Sequence, residues 1–193
     1  MTSTTALYGY ANGELDLSRA VWIDETTNSL PRTIYHRTKL AAEAVVRDAA
    51  SSDMMVRVLR MSRCYPEPAD VMAAYRLHRG VDARDVAEAH RLAIRHRGDP
   101  FELFVISAPT PFEPSDVEAL RSDAEAIIRK RALNIAELFD RRGWSLPRMI
   151  DRVYDPAVAM RALGWRPCYG PTEVATLLDA RDVATVLPIG DWS

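Results

Sequence analysis

Tyr35 is followed four residues later by Lys39, within the stretch Ile34–Leu40. On a helix this spacing places both side chains on one face, with their Cβ atoms about 5–6 Å apart. An ammonium group beside a phenol favours the phenolate, which can accept a proton from an alcohol. Lysine is scarce in this chain, because only Lys39 and Lys130 among the 25 basic residues are lysine. The pair is therefore a candidate acid–base unit, although a motif this short also arises by chance.

The residues around this pair predict the elements that position it. The alanine-rich segment 31–50 predicts a helix, with Ser29 as its N-cap and Pro31 in the first turn. Runs that resemble strands or strand ends occur in three places, at 1–8, 54–61 and 101–107. Strands that alternate with helices in this way predict an α/β fold with a parallel sheet.

Helix signals recur in the second half of the chain. Ser115 and Glu118 have the spacing of a capping box, which predicts one helix over 115–131. The other expected helices run from a cap at Asp82 or Asp85 to His96, over 134–142 up to Gly143, from Asp155-Pro156 to Leu163-Gly164, and over 171–181. Residues 10–30 are polar and irregular, and Asn12-Gly13 within them predicts a turn.

The composition indicates one globular domain, or one domain with a small appendage. The 193 residues are 48% hydrophobic and carry a net charge of −2, with a pI of about 6.1. Acidic and basic residues are interspersed, so we expect neither a nucleic-acid partner nor an acidic membrane. Arg76, Arg79 and Arg84 are candidates for binding an anionic group, although solvated surface arginine is the more ordinary interpretation.

We expect no metal centre and no disulfide. Cys64 and Cys168 lie far apart and form no C-x-x-C pattern. His78 and His90 have no partners at metal-ligand spacing. No apolar run reaches the length of about 18 residues that a membrane span needs, and the N-terminal residues do not have a signal-peptide pattern. A cytoplasmic location is the expectation.

Five landmarks occur in an order that resembles the extended short-chain dehydrogenase/reductases, the NAD-dependent epimerase/dehydratase family. The resemblance covers almost the whole chain, and five ordered landmarks are far more specific than a Tyr-x-x-x-Lys pair. The landmarks are Ser3–Gly9, similar to the end of the family's fifth strand; Tyr35 to Lys39 with Ala41-Ala42-Glu43 after it; Val58–Arg63, similar to the sixth strand and the loop after it; Val81–His90, similar to V-x-D-V-A-x-A-H; and Leu163–Pro167, similar to L-G-W-x-P.

The resemblance implies a role for each matching residue in hydride transfer at a carbinol carbon. Tyr35 would be the general base, or the general acid in the reverse direction. Lys39 would favour the phenolate and hydrogen-bond the ribose of the cofactor. Thr4 would hold the substrate oxygen in line with Tyr35, and Met61 and Ser62 would wall the nicotinamide side. The expected catalytic residues are therefore Thr4, Tyr35 and Lys39.

The resemblance also implies the ligands. The cofactor would be NAD or NADP, and the partner a small-molecule substrate for which a sugar derivative is the candidate. Arg63 and Arg79 are the expected substrate-binding residues. Arg63 stands where many sugar-nucleotide enzymes have Asn, which argues against a nucleotide-sugar substrate. A homodimer through the helix bearing Tyr35 and Lys39 is a further expectation.

A glycine-rich phosphate-binding turn is missing from the sequence. The eight glycines include no G-x-G-x-x-G and no G-x-x-G-x-x-G pattern, although the family's first helix begins at such a turn. By resemblance, residues 1–68 correspond to the late part of the Rossmann domain and residues 69–193 to its remaining strand and a small substrate lobe. We therefore expect a fragment, a mis-called start, or a chain that pairs with an N-terminal segment or second copy. A non-catalytic truncated relative, acting as a binding or assembly module, is the alternative to an enzyme.

Overall fold

The computed structural model describes residues 1–9 and 18–180, and it has the predicted α/β character with parallel strands. The strands are β1 (Thr2–Thr4), β2 (Val21–Ile23), β3 (Val56–Met61), β4 (Phe101–Ile106) and β5 (Arg152–Tyr154). The helices are α1 (Ile34–Asp48), α2 (Ala69–Tyr75), α3 (Ala83–Arg95), α4 (Val117–Ser122), α5 (Ala124–Arg131), α6 (Leu133–Arg142), α7 (Ala157–Leu163) and α8 (Pro171–Asp179). The Asn12-Gly13 turn and the end of the helix expected over 171–181 lie outside the described residues.

Two small parallel sheets organise these elements. The first has the strand order β1-β3-β4, and its register pairs Thr4 with Met61 and Met61 with Ile106. The second pairs β2 with β5. In a parallel sheet all strands end at the same edge, so Thr4 and Met61 lie side by side where β1 and β3 end. The first sheet thereby places Thr4 and Met61, two of the candidate site residues, next to each other at one edge.

Helix α1 begins later than the sequence predicts. Its N-cap is Thr33, whose hydroxyl accepts a hydrogen bond from His36 N at 3.2 Å. The expectation of a cap at Ser29 with Pro31 in the first turn is therefore wrong. Both Thr and Ser can cap a helix, and here the chain is still extended up to Thr33.

The single helix expected over 115–131 is two helices that meet at Asp123. This residue has a non-helical backbone (φ −152°, ψ 73°) and its Oδ1 accepts from Ala126 N at 3.2 Å, so it caps α5. The Ala124 N–H leaves the helical ladder and bonds Arg148 O at 3.0 Å. The capping box also differs from the prediction, because it joins Glu113 to Asp116 instead of Ser115 to Glu118.

The sequence leaves two candidate N-caps for helix α3, Asp82 and Asp85, and the structure decides between them. Asp82 is the cap of α3, with Oδ1 accepting from Arg84 N at 2.9 Å. Asp85 instead accepts hydrogen bonds from the backbone N–H groups of Cys168 and Tyr169, at 3.0 and 3.1 Å. Two of the sequence landmarks, the segments around Asp85 and Trp165, are therefore in contact, and Trp165 Nε1 also donates to Asp85 O at 3.0 Å.

Candidate functional site

Hydrogen bonds join helix α1 to the first sheet. Lys39 Nζ donates to Thr2 O at 3.3 Å, which ties the helix to β1. Four residues further along, Glu43 is the residue of α1 that the structure buries, and it accepts from Ser3 Oγ at 2.5 Å. The helix bearing Tyr35 and Lys39 therefore packs beside the strand that ends at Thr4.

The hydroxyl of Thr4 is oriented by the backbone. Thr4 Oγ1 accepts from Ala6 N at 3.1 Å and so caps the short 3₁₀ turn that follows β1, Thr5–Tyr8. A hydroxyl that accepts from the backbone keeps its own O–H to donate. The turn ends at Gly9, whose φ of 52° lies in the left-handed region.

A cavity of about 270 Å³ opens where β1 and β3 end. Its lining residues come from the ends of β1 and β3, from the loop before α3 and from β5: Thr4, Thr5, Ala6, Met61, Ser62, Arg63, Tyr65, Arg79, Arg152 and Tyr154. The structure thus brings together five of the residues singled out from the sequence, namely Thr4, Met61, Ser62, Arg63 and Arg79.

Tyr35 and Lys39 are placed differently from these five. Neither residue is in the lining of this cavity, as far as the described residues define it. The Tyr35 side chain is 49% exposed, and its ring meets the ring of His36 edge-on at 6.2 Å. The phenol therefore stands near solvent on α1, outside the cavity wall.

Three arginines bring positive charge to the cavity, and each has an acidic neighbour. Arg63 pairs with Glu67, whereas Arg79 and Arg152 share Asp151 at 3.5 and 2.8 Å. Burial alone would raise the pKa of Asp151, but the hydrogen bond from Arg152 and the charges of Arg152 and Arg79 lower it. Asp151 is thus held ionised between two guanidinium groups.

The sequence analysis did not identify Arg152 and Tyr154 as site residues, because it did not identify β5. The two residues are separated by one residue of a three-residue strand. Since successive side chains of a strand point to opposite faces, these two side chains point to the same face. Arg152 Nη1 donates to Gly9 O at 2.5 Å, and Tyr154 OH donates to Thr5 O at 3.4 Å. The Arg-Val-Tyr alternation was the available signal, but three residues are too few to identify a strand by period alone.

The buried residue His78 is hydrogen-bonded to β5 through both its ring and its carbonyl group. One ring nitrogen, Nδ1, lies 2.9 Å from Arg152 O, and the His78 carbonyl accepts from Tyr154 N at 2.8 Å. Burial, together with the nearby charge of Arg79, lowers the pKa of His78 to about 4. The ring is therefore neutral at pH 7, and the Nδ1–H donates to the carbonyl.

The described residues do not form a complete site for a nicotinamide dinucleotide. Thr4, Met61 and Ser62 provide hydroxyl groups and a thioether in the lining of the cavity. None of the six glycines in the described ranges lies between a strand and the helix directly after it, where a pyrophosphate cradle would form. No cluster of three metal-ligating side chains occurs in those ranges either.

Comparison with known proteins identifies the fold through structures alone, since no family model and no curated protein match the sequence. A short-chain dehydrogenase/reductase superfamily protein from Agrobacterium tumefaciens with bound NAD matches at a TM-score of 0.58 and 17% identity. RMD from Pseudomonas aeruginosa complexed with NADPH matches at 0.54 and 18% identity. The chain has the fold of these dehydrogenases and epimerases.

A UDP-glucose-4-epimerase from Stenotrophomonas maltophila with bound NAD and formylated UDP-arabinopyranose also matches, at a TM-score of 0.54 and 18% identity. These three structures align with 95%, 92% and 95% of this chain, respectively. The chain in turn spans 67%, 64% and 63% of their lengths. Within residues 1–9 and 18–180, no helix combines the length and apolar composition needed to cross a bilayer.

Proposed function

We propose that this chain carries the proton-transfer side of an NAD(P)-dependent reaction at a carbinol carbon, of the epimerase, dehydratase or reductase type. The observation that carries the proposal is the 3.3 Å hydrogen bond from Lys39 Nζ to Thr2 O. It holds the helix that bears Tyr35 against the strand that ends at Thr4. The dehydrogenase and epimerase fold supports the same assignment.

The proposed roles follow from the chemistry of each side chain. Tyr35 accepts the proton of the substrate alcohol, or returns it in the reverse direction. Thr4, whose lone pair already accepts from Ala6 N, donates its O–H to the same substrate oxygen. Lys39 donates one of three N–H groups to Thr2 O and keeps two for a cofactor ribose. The substrate oxygen then lies at the cavity rim, between Thr4 and the exposed Tyr35 phenol.

The remaining residues hold the ligands. Met61 and Ser62 form the wall against the nicotinamide, which when bound supplies the hydride acceptor or donor. Arg63 and Arg79 bind the substrate away from the reacting carbon. Because the described glycines form no pyrophosphate cradle, we expect this chain alone to bind NAD(P)H weakly.

The test uses the two lysines of the chain as a matched pair. NADH and NADPH are titrated into the purified protein, and nicotinamide fluorescence reports binding. Lys39→Met should weaken this binding severalfold, whereas Lys130→Met, at an exposed position on α5, should leave it unchanged. Equal binding by both variants, or no saturable binding by the wild type, would reject the proposal and favour a non-catalytic binding or assembly module.

A second assay addresses the acid–base role. The wild type and Tyr35→Phe are incubated with NAD⁺ or NADP⁺ and a panel of polyols, and absorbance of the reduced nicotinamide is followed. Loss of a general base lowers the rate by a factor of about 10²–10⁴. A Tyr35→Phe variant with the wild-type rate would remove Tyr35 from the mechanism.

A further inference from the structure

The cavity at the ends of β1 and β3 has a one-sided charge. Among the described residues that line it, three are arginine and none is acidic. The carboxylates of Glu67 and Asp151 that pair with these arginines lie outside the lining. The three guanidinium groups line the cavity, and low-dielectric walls focus their positive charge on it.

Arg79 is held in a fixed orientation that leaves a donor unused. Its guanidinium carbon lies 4.3 Å from the centroid of the Tyr75 ring, and Nη1 lies 3.5 Å from Asp151 Oδ1. Its Nε is buried and has no hydrogen-bond partner. A buried N–H without a partner is costly, and a bound oxyanion would remove that cost.

Ser62 offers a second unused donor in the same cavity. The residue is 5% exposed, it lines the cavity, and Oγ has no hydrogen-bond partner in the structure. Buried polar groups are nearly always paired, so an unpaired hydroxyl and an unpaired guanidinium N–H in one cavity point to a ligand that accepts from both.

The volume limits the size of that ligand. About 270 Å³ exceeds the roughly 150 Å³ that holds a benzene ring, but it falls below the range of about 300–1,000 Å³ typical of drug-sized ligands. The cavity therefore suits a compound of about hexose size and is small for a nucleoside diphosphate sugar.

We infer that the cavity selects a small hydroxylated organic anion, whose carboxylate or phosphate accepts hydrogen bonds from Arg79 and Ser62 while Arg63 and Arg152 supply the surrounding positive charge. This inference rests on the proposed function in one respect, because it names the substrate class of the same site. The binding itself needs neither cofactor nor turnover. It can therefore be present when NADH binding is absent.

The experiment follows the arginine Nε–H resonances of the full ¹⁵N-labelled chain by NMR. D-gluconate, D-glucose 6-phosphate and D-glucose are titrated at constant ionic strength. We expect at least one anion to shift the Arg79 Nε–H resonance saturably, with glucose at least tenfold weaker. The anion that binds more tightly identifies the group as carboxylate or phosphate. Absence of a saturable shift with both anions, or equal binding of glucose, would overturn the inference.

Variants make the assignment specific. Arg79→Gln should weaken anion binding at least tenfold, whereas Arg91→Gln, which removes an exposed arginine paired with Glu88 on α3, should not change it. Ser62→Ala removes a hydroxyl that has no partner in the fold, so the variant should fold and still bind the anion severalfold more weakly. Wild-type affinity in Arg79→Gln or in Ser62→Ala would also overturn the inference.

Discussion

Arg60 and Glu43 form a buried bidentate ion pair that joins β3 to helix α1. Arg60 Nη2 lies 2.6 Å from Glu43 Oε2, and Nε lies 3.1 Å from Oε1. The guanidinium carbon also lies 4.9 Å from the centroid of the Tyr8 ring, and burial raises the pKa of that phenol to about 12. Since most of α1 is exposed, this pair contributes a large share of the attachment of the helix to the sheet.

Removing one partner of this pair should be more harmful than removing both. Glu43→Ala leaves the Arg60 charge buried without a counter-charge, so we expect a loss of about 3–5 kcal/mol in the free energy of unfolding. The double variant Glu43→Leu/Arg60→Met replaces both charges by apolar groups and should be less destabilised than Glu43→Ala. Urea unfolding followed by circular dichroism measures both. A double variant less stable than the single one would contradict this role.

Stability should fall in mild acid because of His78. Its pKa is about 4 in the folded chain, against 6.5 for an unperturbed histidine. Below pH 6.5 the unfolded state therefore binds a proton that the folded state excludes, and the difference grows until the pH reaches about 4. Linkage predicts that this residue alone lowers the free energy of unfolding by about 2 kcal/mol between pH 7 and pH 5.

The variant His78→Asn tests that assignment. An asparagine amide can still donate to Arg152 O, but it does not titrate. Unfolding midpoints in urea at pH 7 and pH 5 should differ less for His78→Asn than for the wild type. The matched control, His36→Asn on α1, should keep the wild-type difference. If both variants kept the full difference, other groups would be responsible for it.

Two glycines with left-handed backbones should respond differently to alanine. Gly9 has a φ of 52°, and a Cβ there would lie 2.5 Å from Leu30 O. Gly143 has a φ of 64°, and nothing lies within 4 Å of a Cβ at that position. Gly143→Ala should cost only the backbone strain, about 1–2 kcal/mol. Gly9→Ala adds a backbone clash beside the site and should cost more in thermal or urea unfolding. Equal losses of stability in the two variants would show that the backbone at Leu30 moves away from the added Cβ at little cost.

The sequence predicts the parts of this fold that depend on local signals. The parallel α/β class, the strand around Val56–Met61 and the helix ends at Gly143 and Gly164 are confirmed. Both glycines have positive φ and follow the last helical residue, a pattern that sequence alone reveals.

The elements that the sequence analysis missed depend on distant partners. Strands β2 and β5 have three residues each and pair with one another across more than a hundred positions, so no local period identifies them. Helix α2 was missed as well, and its N-cap, Pro68, makes no side-chain hydrogen bond. Because β5 brings Arg152 and Tyr154 to the cavity, the site could be predicted only on its β1 and β3 side.

The most direct test of the proposed function is whether nicotinamide reaches Met61. The seven methionines are labelled with ¹³C at the methyl group, and Met61→Leu assigns the resonance by its disappearance. On addition of NADH, the Met61 methyl should shift saturably, because aromatic ring currents act on groups at the cavity wall. The exposed Met149 should not shift. A Met61 resonance that stays in place, or a Met149 resonance that moves equally, would contradict the account.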